Sequence, residues 1–280
     1  VVDPAPPAEL AVFLQKWCLS VTGAAFRTPT SWLIPVERAK GSPAILKISG
    51  DPDESRGAAL MAWWSDIGAP VAPVLAQGAG ALLMEYAGGA RSLDVLVQTG
   101  DDSGATRILC DIVGRLHGAA SRPQLPLTPL DQWFSDLTET HPLEMWLEHS
   151  AHDARALLRS TTHPTVLHGD LHHGNILDFG ASNWRVIDPK GLWGDGAFDL
   201  APMFLNPDLA TPELTHARDA ERFAARLSQV VQNSGVLRSR LLGWIRAWCG
   251  LSAIWFMEQG TEPVVQARIF DLALQQDQSP

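Results

Sequence analysis

Apolar residues recur at two spacings along this chain, and the change from one to the other divides it. Leu10, Phe13, Leu14 and Trp17 fall three and four apart, which predicts a short helix over 9–19. Between residues 24 and 49 the spacing becomes that of strands. Segments 31–36 and 44–48 flank a polar turn, 37–42, that contains Gly41. A helix is expected to open at Asp53-Glu54, with carboxylates in its first turn as the helix dipole favours. Segments 71–76 and 81–86 surround Gly78-Ala79-Gly80 and read as a hairpin, which leaves through Gly88-Gly89.

Beyond that exit the helical spacing dominates. Residues 93–96 make a short helix and 106–119 a long one, with Ile108, Leu109, Ile112, Val113 and Leu116 on one stripe. A Pro-rich linker is expected at 123–129 and two helices within 131–160. Short strands interrupt over 165–187, and helices resume from 213 with breaks near Gly235 and Gly260. The pattern predicts an α+β molecule of two lobes: a small sheet-plus-helix lobe over 1–87 and a larger, mainly helical lobe over 88–280.

Composition narrows the class. With 46% hydrophobic and 19% charged residues the chain is an ordinary globular one, disordered at most around Pro4, Pro6 and Pro7 and in the Gln-rich tail. A net charge of −10 argues against a nucleic-acid coat and suits a cationic small-molecule partner. The longest apolar run, 241–257, holds Arg246 and is too short to span a bilayer, so no membrane role is expected. Three scattered cysteines and the lack of a basic-then-apolar leader pattern point to a reducing, cytoplasmic location. Nothing in the pattern specifies an oligomeric state.

The chemistry concentrates in 168–188. His168-Gly169-Asp170 opens a loop, Asn175 follows Asp170 by five residues, and Asp188 ends a second strand. Strands at 175–177 and 184–187 would form a hairpin and return Asp188 beside Asn175. Two oxygen ligands on one side of a triphosphate suit Mg2+, and Asp170 can then face an acceptor hydroxyl as base. Asp178-Phe179-Gly180 spells the metal motif of protein kinases. It stands only three residues after Asn175, roughly 10 Å along a strand, too far to share one ion. Asp188 is therefore the metal candidate. Lys47, inside an apolar strand, needs a partner, and Glu54 on the following helix is better placed than Asp53. His172 and His173 are adjacent, point apart, and lack a third ligand spaced for zinc.

These residues resemble the aminoglycoside phosphotransferase family, a branch of the protein-kinase-like fold, and within it the streptomycin 6-kinase and hydroxyurea kinase branch. The likeness is carried by 168–176, by 186–195 (Val-Ile-Asp-Pro-Lys-Gly-Leu-Trp-Gly-Asp), by 203–207 and by 249–255. It implies ATP and Mg2+, with Asp170 as catalytic base, Asn175 and Asp188 on the metal, and Lys47 on phosphate with Glu54 as its partner. It implies that Glu85, Tyr86 and Ala87 bind adenine through backbone groups and that Asp199 braces the site. It implies transfer of the γ-phosphoryl group to an antibiotic alcohol, with streptomycin at its 6-hydroxyl first. Acidic residues should then line the acceptor side: Asp195, Glu258, Asp131 and Asp136 are candidates, with Trp255 flanking. No Gly-rich phosphate loop stands between Gly23 and Ile34, so 28–31 is the expected phosphate cover. A kinase of hydroxyurea or a metabolite, or a nucleotide-binding regulator without turnover, are the alternatives.

Overall fold

The computed structural model describes residues 7–118, 122–140 and 144–278. Pro4, Pro6 and Ala119, which the sequence reading touched, lie outside them, as do residues 141–143 and the last two of the tail.

Residues 7–87 form one antiparallel sheet with a helix on each face. Helix α1 (Leu10–Lys16) leads into β1 (Leu19–Val21), β2 (Phe26–Arg27), β3 (Trp32–Arg38) and β4 (Pro43–Ile48). Helix α2 (Pro52–Asp66) and the hairpin β5 (Val74–Gly78) and β6 (Ala81–Glu85) follow. The strands run β1-β3-β4-β6-β5, with β2 also on β3. The short β1 and β2 escape a pattern reading because two or three residues carry no measurable alternation.

Alternation along β4 sorts its side chains. Ala44, Leu46 and Ile48 join Phe13, Ile34, Val36 and Leu83 in a core on one face. Ile45 and Lys47 therefore point to the other face, toward α2. There Leu60, Met61 and Trp64 of α2 pack with Leu82 and Met84 in a core that continues into the rest of the molecule.

Helix α2 is fixed at its start and in its middle. Asp51 caps it by accepting the Asp53 N–H at 2.8 Å, and Pro52 takes the first helical position, where no N–H is needed. Gly57 is buried against the loop that carries Asp188: a Cβ there would lie 2.1 Å from the Pro189 carbonyl oxygen. Glycine costs about 1 kcal/mol against alanine in a helix interior, so contact, not propensity, selects it. Gly57→Ala is expected to lose about 1–3 kcal/mol of stability through overpacking. Thermal unfolding measures it, and a variant as stable as the parent would refute the contact.

The remainder is mainly helical. Helices α3 (Leu93–Gln98) and α4 (Asp102–His117) come first, then β7 (Thr128–Pro129) and the one-turn helices α5 (Leu130–Trp133) and α6 (Ser135–Thr138), then α7 (Met145–Arg159). The site strands are β8 (Pro164–Leu167), β9 (Ile176–Asp178), β10 (Trp184–Val186) and β11 (Leu192–Asp195), and α8 (Ala220–Ser234), α9 (Arg238–Glu258) and α10 (Val264–Gln278) close the chain. The expected linker at 123–129 thus ends in a strand, because Thr128 and Pro129 pair with Leu192 and Trp193 of β11.

Helix α9 is the axis of this part. Every residue from Leu241 to Ile254 is buried, as expected of a helix packed on all sides between α7 and α10. Its internal charge, Arg246, is offset by Asp153 at 2.6 Å and Asp277 at 3.1 Å. Among the described residues no helix is long and apolar enough to cross a membrane.

Candidate active site

Strand β8 ends at Leu167, and the chain turns at Gly169 with φ +87°, a conformation L side chains rarely adopt. A Cβ there would also meet the Leu192 side chain at 2.6 Å. Below the turn lies Asp199, fully buried. It accepts the His168 N–H at 2.9 Å and the Gly169 N–H at 2.8 Å, and His117 Nε2 lies 2.9 Å away. Burial alone would raise the Asp199 carboxyl, but the hydrogen bond and charge of His117, with the Gly169 N–H, outweigh it and hold it below its ordinary value. His168 supports the turn from the other side. Its Nε2 bonds the Ile187 carbonyl at 2.8 Å and its Nδ1 accepts the Asp170 N–H at 3.3 Å. Burial lowers its pKa, which matches a neutral ring donating from Nε2.

The β9–β10 hairpin brings the two ends of the motif together. Val186 pairs with Ile176, and the Ile187 N–H donates to the Asn175 carbonyl at 3.0 Å. Asn175 stands at the end of a 3-10 turn, His173–Asn175, rather than within the strand expected at 175–177. Its Nδ2 donates to the Asp170 carbonyl at 2.8 Å, which leaves Oδ1 as the free acceptor. Asp188 adopts φ +65°, in the left-handed region that a short polar side chain tolerates. Lys47 Nζ makes close ion pairs with both Glu54 and Asp188. Burial would raise the Asp188 carboxyl, but Lys47 and then Lys190 hold it below its ordinary value. Asp53 instead pairs with Arg56 at 2.7 Å, outside this cluster.

Asp170 faces the same space. Its Oδ2 lies 4.0 Å from Lys190 Nζ and 4.0 Å from His172 Nε2. The adjacent histidines do point apart: His172 flanks Asp170, while His173 is buried and its pKa is driven down by that burial. Asp178 is committed elsewhere. Arg91 reaches it through Nε at 2.9 Å and Nη2 at 3.0 Å, and this pairing lowers the carboxyl to about 2.

A cavity of about 210 Å³ adjoins the cluster, lined among others by Leu33, Lys47, Met84, Asn175, Ile187 and Asp188. Glu85, Tyr86 and Ala87 follow directly from Met84. The Glu85 N–H donates to the Pro73 carbonyl at 3.0 Å. The turn at 28–31 closes over the pair: Thr28 N–H bonds the Ser31 carbonyl at 2.9 Å, and Thr30 Oγ1 donates to Glu54 at 2.6 Å. Leu33 and Ile187, the apolar walls, carried no sequence signal beyond ordinary strand residues.

Asp195 is a correction. It was expected to meet a cationic acceptor, yet it is buried and spent. Its Oδ2 accepts from Arg240 Nε and Trp244 Nε1, both at 2.6 Å, and its Oδ1 from the Ala197 N–H at 3.1 Å. It ties α9 to the chain after β11. Trp255 is half-buried, edge-on to Trp133 and Trp248, and donates from Nε1 to Asp136 at 2.9 Å. Glu258 is exposed at the end of α9, and Asp131 is exposed on α5. Lys190, between Asp170 and Asp188, was not singled out, although a lysine after Asp-Pro and before Gly was visible in the sequence.

Comparison with known proteins supplies relatives for this arrangement. A family model described as aminoglycoside/hydroxyurea antibiotic resistance kinase matches residues 16–260. The streptomycin 3''-kinase of Klebsiella pneumoniae is 45% identical over 261 residues, covering 93% of this chain and 97% of that one. The streptomycin 6-kinase of Streptomyces griseus is 28% identical over 278 residues, covering 94% and 87%. A thermostable mutant of an aminoglycoside phosphotransferase, solved with ADP and hygromycin B, superposes with a TM-score of 0.66 at 11% identity, over 95% of this chain and 98% of that one. The shared fold is protein-kinase-like: an antiparallel sheet with its helix, then a mainly helical part.

Proposed function

The chain belongs to the aminoglycoside/hydroxyurea antibiotic resistance kinase family, and from that premise we propose that it moves the γ-phosphoryl group of ATP to the 3''-hydroxyl of streptomycin. The 6-hydroxyl implied by the resemblance gives way here. Identity of 45% to a 3''-kinase, against 28% to a 6-kinase, supports the other ring. The observation that carries phosphoryl transfer is the convergence of Lys47, Asn175, Asp188 and Asp170 on one space.

Each side chain has a role its geometry supports. Lys47, held by Glu54, supplies positive charge for the α- and β-phosphates. Asp170 orients the acceptor hydroxyl and receives its proton as the phosphoryl group moves. The adenine edge would meet the Glu85 carbonyl and the backbone of Ala87, past Tyr86, with Leu33 and Ile187 on its faces. The donor set fits Mg2+: Asn175 Oδ1 is a free, hard acceptor and Asp188 is kept ionised. Bound there, the ion would neutralise phosphate charge. The cation on the acceptor suits the net charge of −10. For that side Asp136 with Trp255, and Glu258 a turn further along α9, remain the acids and ring proposed to meet it.

The test is incubation with ATP, Mg2+ and streptomycin, followed by mass spectrometry. A gain of one phosphate on the amino-sugar ring is expected. Phosphate on the streptidine ring would overturn the 3''-assignment, and no gain at all would overturn the activity.

A further inference from the structure

Lys190 stands between the two carboxylates on which the proposed reaction depends. Its Nζ lies 4.0 Å from Asp170 Oδ2 and 3.9 Å from Asp188 Oδ2. At these separations the ammonium is attracted to both and hydrogen-bonded to neither. Lys47 differs, since its ammonium is drawn tightly onto Glu54 and Asp188. Its ammonium, with three N–H donors, therefore stands about equally far from the acceptor's carboxylate and the metal's.

The backbone holds it there. The Lys190 N–H donates to the His168 carbonyl at 2.7 Å, and its own carbonyl accepts from Arg56 Nη1 at 3.4 Å. Pro189 precedes it and is itself backed by Gly57 of α2. The stem thus starts from a point tied to both lobes, and the side chain is only a quarter exposed. A surface lysine would have neither the anchorage nor the shelter.

A phosphoryl group passing from nucleotide to alcohol must cross between Asp188 and Asp170. Its transition state spreads negative charge over the oxygens that lie across the line of transfer. A fixed cation beside that line interacts more strongly with the transition state than with either ground state, which is the condition for raising kcat. We propose that Lys190 is a catalytic residue whose ammonium hydrogen-bonds the transferring phosphoryl group between Asp188 and Asp170. No bond to Lys190 forms or breaks. The phosphoryl leaves the β-phosphate oxygen for the acceptor oxygen, and the hydroxyl proton goes to Asp170.

This assignment rests on the phosphoryl-transfer reading above, and the experiment keeps the two apart. K190M and K190R are compared with the parent for streptomycin phosphorylation and, with antibiotic omitted, for slow ATP hydrolysis by water. For K190M, kcat is expected to fall about 100-fold, as for loss of one transition-state donor, with the ATP KM within about threefold. K190R keeps the charge and should fall between. A K190M kcat within threefold of the parent, a loss confined to the ATP KM, or a K190R no faster than K190M would each overturn the proposal. If K190M does not melt cooperatively, K190Q replaces it under the same criteria. A parent that hydrolyses ATP but leaves streptomycin unmarked defeats the acceptor assignment alone, and the Lys190 comparison is then read on hydrolysis.

Discussion

Asp170→Asn is expected to lower kcat about 1,000-fold, within the 10²–10⁴ range that a positioned general base supplies, while leaving the nucleotide KM and the melting temperature near parental values. The expectation follows from where the carboxylate's partners lie. Its oxygens have His172 and Lys190 at 4.0 Å, so the fold does not depend on a close side-chain hydrogen bond to them. What the fold does use is the Asp170 backbone: its N–H on His168 and its carbonyl on Asn175, at 3.3 and 2.8 Å. Asparagine preserves both. It removes only the group that can take a proton. Steady-state kinetics with ATP and streptomycin measure the outcome. A kcat within tenfold of the parent would place the base elsewhere, and a large fall in melting temperature would make Asp170 a structural residue.

Asp199→Ala should do the reverse, costing stability first. Asp199 is fully buried and answers three donors, two of them backbone N–H groups of the turn that presents Asp170. Alanine leaves those groups without their acceptor. Removing one member of a buried charged network costs about 3–5 kcal/mol, enough to lower the melting temperature by roughly 10 °C in a chain of this size. The pH dependence has a definite sign. The folded carboxyl is held below its ordinary value, so the stabilisation is fully present above the unfolded value near pH 4 and is lost as pH falls through the folded one. The gap between parent and variant should therefore narrow in acid. A gap that widens on acidification would mean that Asp199 is protonated at neutral pH. Calorimetry at a series of pH values measures both effects.

The sequence made the site legible where spacing alone decides geometry. Hairpin pairing returns Asp188 to Asn175 whatever the details of the turn, and β9 carries Asp178 away from Asn175 and onto Arg91. Lys47 was legible because a charge in an apolar strand demands a partner. Asp195 was not, because an acid near a motif looks the same whether it faces a ligand or three internal donors. Arg240 and Trp244, which consume it, lie more than forty residues away. Strands β1, β2 and β7, two or three residues each, form where a neighbour offers them an edge, and no turn signal or motif beside them records that. Lys190 was visible as a letter but not as a position, since its meaning depends on Asp170 and Asp188 meeting across it.

The close approach of Gly57 to Pro189 bears on how such a protein is governed. The helix that carries Glu54 and the loop that carries Asp188 touch backbone to backbone, so a displacement of either would have to break this contact. A kinase switched by moving this helix would have to open that joint. The joint sits beside the Lys47, Glu54 and Asp188 ion pairs and sets those three side chains together.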